Sequence, residues 1–354
     1  NNIHDIISEK TLSAIGLNLS VVNTSATNNI IANNFINNVR ANSTSPDIGI
    51  GISINFCNGD KVVFNTVNLS GGDIDPSGSA SATQGNIGIR VANTSLNLTL
   101  KNNISKVDLT SNSGVIHNSL QVVTSGFSWG TGGANNNCYY VNPSNIQSRL
   151  FSAGASGIST LADWKTLFTP TQDNFSITEA PNFISATDIH LNPAIPTLLE
   201  KGGLTVSGIT NDIDGNVRDI SRPDIGADEG TFTRPNVGNI WAYDFIEPSL
   251  NGHVSKGIPF SPKTDIRSIG TDYYQLNVPV RFIIDGPLPS LTEKYNELAT
   301  LPVVYSGGTY TVMQHPACTL DTLGTYRMTV IVESTEDNNR SNDTLRNTFT
   351  VYTP

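Results

Sequence analysis

The sequence predicts an all-β chain in two parts, a parallel β-helix over residues 1–231 and a β-sandwich over residues 232–354. Three observations predict it: a polar composition poor in charge, a repeated strand-length phrase in the first part, and a change of texture past Gly230. Charged residues make up only 14 % of the 354, while Asn, Ser, Thr and Gly abound. That balance suits polar strands and turns better than surface helices.

The repeat comes first in the chain. Ile50-Gly51-Ile52-Ser53-Ile54 recurs as Ile87-Gly88-Ile89-Arg90-Val91, a step of 37 residues from Gly51 to Gly88. Each phrase is followed by a second apolar-alternating run ending in an Asn-containing turn, residues 62–67 and 98–104, and setting Val67 against Ile104 keeps the same step. Residues 29–39 read as an earlier copy of that second run and residues 135–140 as a later one, so four coils are expected. Alternation places Ile, Val and Leu on one side of each short strand, where stacked coils bury them continuously. Asn at equivalent turns can form side-chain ladders and adopt the left-handed conformation a sharp corner needs. The polar, unequal stretches 43–46 and 71–85 read as loops projecting from coil corners.

From Asn142 to Pro196 the alternation loosens. Leu161-Ala162-Asp163-Trp164-Lys165 predicts a short helical turn, and Pro181-Asn182-Phe183 and Leu191-Asn192-Pro193 punctuate strand-length pieces. Because a solenoid end exposes strand edges and apolar interior, an irregular last coil is expected to cap it. Residues 231–238 read as a linker, and the runs 240–245, 273–284, 309–313, 324–332 and 345–352 predict the strands of a sandwich. Cys57, Cys138 and Cys318 lie far apart and in no metal-ligand spacing; Cys57 and Cys138 are expected as small buried residues of the coils, with a bridge between neighbouring coils as the alternative.

Asn211-Asp212-Ile213-Asp214-Gly215-Asn216-Val217-Arg218 with Arg222-Pro223-Asp224-Ile225-Gly226-Ala227-Asp228-Glu229 resembles the signature that ends the parallel β-helix domain of many secreted bacterial surface proteins. Thr187-Asp188-Ile189-His190-Leu191 followed by Pro193-Ala194 is similar to a phrase of the same group. The resemblance implies a right-handed, pectin-lyase-like parallel β-helix. Asn277-Val278-Pro279-Val280-Arg281-Phe282, Gly324-Thr325-Tyr326-Arg327-Met328-Thr329-Val330, and Asp337-Asn338-Asn339 with Ser341-Asn342-Asp343 resemble an adhesion-related, CARDB-like module. An immunoglobulin-like β-sandwich is therefore expected, without the cysteine pair of an antibody domain. Proteins of this arrangement often continue into further modules and a sorting domain for export. The resemblance thus implies a fragment of a longer exported protein, extracellular or at the cell surface.

Asp212-x-Asp214-Gly215-Asn216 has the oxygen-rich, Gly-turned look of a calcium loop, which makes Asp212, Asp214 and Asn216 candidate metal ligands and calcium the candidate cofactor. The twelfth position, where such a loop places a bidentate acid, is Pro223. The alternative is that Asp212, Asp214, Asp224 and Asp228 pair with Arg218 and Arg222 and cap turns. For catalysis, a hydrolase needs two convergent carboxylates, and a lyase commonly a Lys or Arg base beside acid-bound calcium. Asp73, Asp75 and Lys101 are the candidate catalytic residues, with Lys61 and Arg90 as further bases; solvated loop charges are the alternative. Trp129, Tyr139 and Tyr140, together with Trp164, can be read as a sugar-stacking platform or as core packing. The histidines are scattered singly, in no metal-binding or nucleophile–base spacing.

The net charge of -10 and the absence of a basic cluster argue against nucleic acid as a partner, since phosphate binding needs gathered Lys and Arg. No apolar run is long enough for direct membrane insertion. The expected role is that of a non-catalytic, rod-like adhesin or extracellular structural segment, with surface glycans or other copies of the same protein as partners. A polysaccharide lyase or glycoside hydrolase is the alternative.

Overall fold

The computed structural model describes residues 1–353 apart from 9–12, 21–25, 42–48, 73–84, 93–94, 111–115, 123–126, 145–147, 155, 169–170, 236–238, 270–273, 306–308, 335–336 and 338. The chain divides into two compact units, Asn1–Pro235 and Asn236–Pro354.

The first unit is a parallel β-solenoid. After β1 (Asn2–Ser8), strands follow in triplets: β2 (Ala14–Ser20), β3 (Ile30–Ala32), β4 (Phe35–Ala41); β5 (Gly49–Asn55), β6 (Lys61–Val63), β7 (Thr66–Gly72); β8 (Ile87–Ala92), β9 (Leu98–Lys101), β10 (Ile104–Thr110); β11 (Asn118–Val122), β12 (Trp129–Asn135), β13 (Cys138–Val141). Then come β14 (Arg149–Ala153) and β15 (Ser156–Ile158). Equivalent strands pair in parallel into three sheets, β1-β4-β7-β10-β13, β2-β5-β8-β11-β14 and β3-β6-β9-β12, and β15 alone turns back antiparallel on β14. Ile52, Ile54, Val62, Val67, Ile89, Leu100 and Leu120 are among the residues of the core they enclose.

The sharpest corner of each coil is two residues long. Its first residue, Asn33, Phe64, Asn102 or Asn136, is left-handed, with φ between 53° and 56°. Its second, Asn34, Asn65, Asn103 or Asn137, turns its side chain inward and is buried. Each inward amide oxygen accepts both the backbone N–H and the side-chain N–H of the asparagine one coil earlier. Asn34 Nδ2 donates to Asn65 Oδ1 at 2.8 Å, Asn65 Nδ2 to Asn103 Oδ1 at 2.9 Å, and Asn103 Nδ2 to Asn137 Oδ1 at 3.1 Å. The amides also donate to strand carbonyls, as Asn103 does to those of Val62 and Lys101. Corner groups that would otherwise be buried without partners are thereby satisfied.

The Gly51 and Gly88 of the repeated phrase also have a physical reason. A Cβ on Gly51 would lie 2.3 Å from Val67 Cγ1, and one on Gly88 2.0 Å from Ser105 Oγ, so the opposing sheets approach too closely there for any side chain.

Strands β5 and β8 align Ile50 with Ile87, the expected step of 37 residues. The following strands do not keep it: β7 sets Thr66 against Ile104 and Val67 against Ser105. One additional residue enters between the pairs Asn55–Ala92 and Asn58–Leu96. Alternation misleads here because β10 opens on an outward apolar residue, Ile104, ahead of the inward Val107 and Leu109. Val107 lies in the solenoid core, whereas Ile104 packs outside it with Ile177, Leu199 and Ile225.

The expected helical turn is α1 (Leu161–Lys165), capped by Thr160, whose hydroxyl accepts from the Asp163 N–H. It carries Trp164 onto the solenoid end, where the indole stacks on Phe151 at 4.6 Å between centroids and Phe151 meets Tyr139 edge-on. Asp173 completes this cover by accepting from Trp164 Nε1, the Tyr139 hydroxyl, the Ser176 hydroxyl and Asn137 Nδ2, so the asparagine ladder runs into it.

The expected irregular last coil is seen in α1 and residues 171–177, where Ile177 bridges Cys138 in parallel; residues 178–235 then hold isolated bridges but no named strand and leave the solenoid end. They form a strap along the flank, held at each left-handed corner. Asn136 Nδ2 donates to the Gly202 carbonyl, Asn102 Nδ2 to that of Leu204 and Asn33 Nδ2 to that of Asn211. At the fourth corner the Arg218 guanidinium lies 4.0 Å from the centre of the Phe64 ring. A strap is required because Phe35, Phe64 and Ile104 present apolar surface outward that only a second layer buries.

The second unit contains β16 (Asn239–Glu247), β17 (His253–Ser255), β18 (Lys263–Ile269), β19 (Tyr274–Asp285), β20 (Glu293–Tyr305), β21 (Thr309–Gln314), β22 (Gly324–Val332) and β23 (Thr344–Tyr352). Two sheets, β16-β18-β21 and β17-β23-β22-β19-β20, share one core that includes Phe245, Ile266, Phe282, Met328 and Phe349. Pairing is antiparallel except between β17 and β23. Sequence reading misses β17, β18 and β20; β20 is an edge strand with exposed residues on both faces, so it shows no useful alternation. All three cysteines are buried and free, as expected for Cys57 and Cys138.

Two predictions follow from this packing. Replacing Asn103→Ala removes two corner donors and leaves the Asn65 N–H groups unmatched, so a loss of about 2–4 kcal/mol is expected, read as a lower denaturant midpoint at unchanged slope. Burial also pushes the carboxyls of Asp173, Glu179 and Asp224 above the ordinary carboxylate range, and their hydrogen bonds offset this only in part. A raised acid binds its proton better folded than unfolded, so stability falls as pH rises from the unfolded carboxylate pKa, about 4, through the folded one. The melting midpoint of the first unit should therefore be higher at pH 5 than at pH 7. Glu179→Gln, which keeps an acceptor for the Leu198 N–H, should flatten that dependence.

Candidate functional site

The strap gathers titratable side chains from three separate segments. In the first, Ser185 Oγ accepts the N–H groups of Thr187 and Asp188, and Phe183 pairs with Leu191, which sets Asp188 and His190 on a tight turn. In the second, Asp212 Oδ1 accepts the N–H groups of Asp214 and Asn216 around Gly215, whose φ of 90° suits a residue without a Cβ. The third is the closing motif with Asp228, buried to 8 % exposure, whose Oδ2 accepts the Leu191 N–H at 2.8 Å.

These segments meet at His190. Its Nδ1 lies 2.5 Å from Asp188 Oδ1 and its Nε2 2.8 Å from Asp214 Oδ2. Phe35 meets the imidazole edge-on at 4.7 Å. Burial alone would lower the His190 pKa, but hydrogen bonds to Asp188 and Asp214 and the charge of Asp228 outweigh it and raise the group overall. His190 in turn holds Asp188 below the ordinary carboxylate range. Burial pushes Asp228 up. A doubly protonated imidazole donates to both carboxylates, which is why these partners raise the group. One imidazole nitrogen and one oxygen each of Asp214 and Asp228 lie within 4.8 Å of one another.

Of the calcium-loop residues, only Asp214 reaches this cluster. Asp212 Oδ2 accepts from Asn216 Nδ2 and the Glu229 N–H, so its carboxylate and the Asn216 amide build the turn. Turn capping by the motif's aspartates is seen at Asp212 and Asp224, and the charges of both also act on Arg218. Arg218 pairs with Glu229 at 3.0 Å and donates to Asn33 Oδ1 and to the carbonyls of Gly226 and Ala227; Arg222 Nε donates to the Lys201 carbonyl. Asp224 accepts backbone N–H groups of Lys201 and Gly230.

The aromatic residues separate in space. Tyr139 is fully buried, so it belongs to the core and not to a sugar-stacking platform. Trp129 packs edge-on between Phe127 and Phe168, half-buried against the same core. Tyr140 remains accessible. It borders a cleft of about 460 Å³ whose walls also carry Asn142, Arg149, Leu150 and Glu179. Lys106 Nζ lies 6.0 Å from the Tyr140 ring centre and 3.4 Å from Asp108 Oδ2.

Asp73 and Asp75 fall outside the described residues. Lys101 lies on β9, where burial, and then the charge of Lys61, hold its ammonium below the ordinary lysine range. Sequence reading missed His190 as a site residue, because its partners are 24 and 38 residues further on. The usable signal was that the Asp188-Ile189-His190 phrase and both closing motifs resemble parts of one signature. No helix among the described residues is long and apolar enough to cross a membrane. No protein-family model matches the chain, and no curated protein matches it.

Proposed function

We propose that the chain is a non-catalytic segment of an exported adhesin or extracellular structural protein, in which a right-handed, pectin-lyase-like solenoid presents a glycan-binding cleft and an immunoglobulin-like, CARDB-like module follows. The observation that carries this reading is the cleft beside Tyr140. An accessible aromatic face takes up the apolar face of a pyranose, while Asn142, Arg149 and Glu179 offer an amide, a guanidinium and a carboxylate to its hydroxyls. Glu179 is held by the Thr197 hydroxyl and the Leu198 N–H, so its carboxylate is fixed before any ligand arrives. Rigid support of this kind lowers the ordering cost of binding. Coil stacking supports a structural role as well, since it yields a stiff scaffold from polar sequence.

Neutral and acidic oligosaccharides on a glycan array, followed by calorimetry of the hits, test the proposal. Tyr140→Ala should weaken binding by about tenfold, equivalent to about 1.4 kcal/mol. Trp129→Phe, away from the cleft, should leave it unchanged. Acidic polysaccharides incubated with the chain should yield no new reducing ends and no unsaturated products. Failure of the wild-type chain to bind any glycan would overturn the binding role.

A further inference from the structure

We infer that His190, Asp214 and Asp228 form a binding site for a divalent transition-metal ion of the zinc class, which fastens the three segments of the strap to one another. The ligand atoms come from parts of the chain 24 and 14 residues apart, yet all lie within 4.8 Å of one another. Tetrahedral zinc with bonds near 2.1 Å separates its ligands by about 3.4 Å, so small side-chain adjustments are enough to enclose an ion. The three supply one imidazole nitrogen and two carboxylate oxygens, with a fourth position left for water.

Two further features suit a metal. Asp188 lies against Nδ1, the arrangement by which an outer carboxylate fixes a ligating imidazole and presents Nε2 to the ion. Asp228 is a buried carboxylate that faces the acids Asp212 and Asp214 with His190 as the nearby cationic group, so the site has a surplus of negative charge that a cation neutralises. Binding replaces the proton on His190 Nε2, which passes to solvent, while the proton on Nδ1 stays with Asp188. The imidazole nitrogen selects against calcium and magnesium, which prefer all-oxygen sites. The His4–Asp5 pair is the contrast: two adjacent exposed residues in ion contact at 2.9 Å, with no third ligand among the described residues.

The test is titration of chelator-treated chain with Zn²⁺, Co²⁺, Ca²⁺ and Mg²⁺, followed by calorimetry, thermal melts and the visible spectrum of the cobalt form. One Zn²⁺ per chain is expected, with a raised melting midpoint. Cobalt should compete and give a spectrum that changes in H190A. Calcium and magnesium should bind at least about a hundredfold more weakly. D228N retains an oxygen to accept the Leu191 N–H, so it should melt like the wild type without metal but bind zinc at least about tenfold more weakly. D188N should lose about tenfold through misorientation of the imidazole. H4A should bind as the wild type does. The inference is overturned if the wild type takes up no zinc, if H190A and a normally folded D228N bind it unchanged, or if calcium binds in preference.

Discussion

The amide-to-amide file along one corner of the solenoid, Asn34 to Asn65 to Asn103 to Asn137, is the interaction on which the rest of the first unit depends. A parallel coil must reverse direction sharply, and at each reversal backbone groups lose their sheet partners. An inward asparagine answers both needs, because its oxygen accepts twice from the preceding coil and its nitrogen donates to strand carbonyls. Left-handed residues immediately before it make the turn tight, and those residues hold the strap.

The strap in turn explains why polar corners and outward apolar residues coexist. Arg218 is the joint between them. Its buried guanidinium covers Phe64, the one corner residue that is not asparagine, and pairs with Glu229 while donating to Asn33. A phenylalanine in the left-handed region costs about 1 kcal/mol, and the stacked cation offsets that cost where an asparagine would have needed no help.

Much of this was legible in the sequence, though unevenly. The Ile-Gly-Ile phrases and the asparagine runs announce stacked strands, and Trp164 announces a helical turn. The register after Asn55 was not legible, because β10 opens on the outward Ile104, which alternation alone assigns to the core. The course of the strap was hidden for a different reason. Its segments follow no period, and their partners are read out by corner side chains as far as 185 residues away, as in the bond from Arg218 to Asn33. The cluster at His190 shares that difficulty, since proximity in space arises only once the strap is laid down. In the second unit β20 was hidden because the exposed Glu297 interrupts its inward residues Tyr295, Ala299 and Leu301, and Leu298 lies exposed on the other face.

The ladder steps by 31, 38 and 34 residues between successive asparagines, yet the corner geometry hardly changes. The rise per coil is set by the parallel strand pairing and by this ladder, and it is independent of how much chain is spent between the strands. Such a solenoid behaves like a ruler with detachable labels: segments between sheets can lengthen, shorten or acquire new recognition chemistry without altering the spacing of what is displayed. Diversification of surface at constant pitch is thus built into the fold.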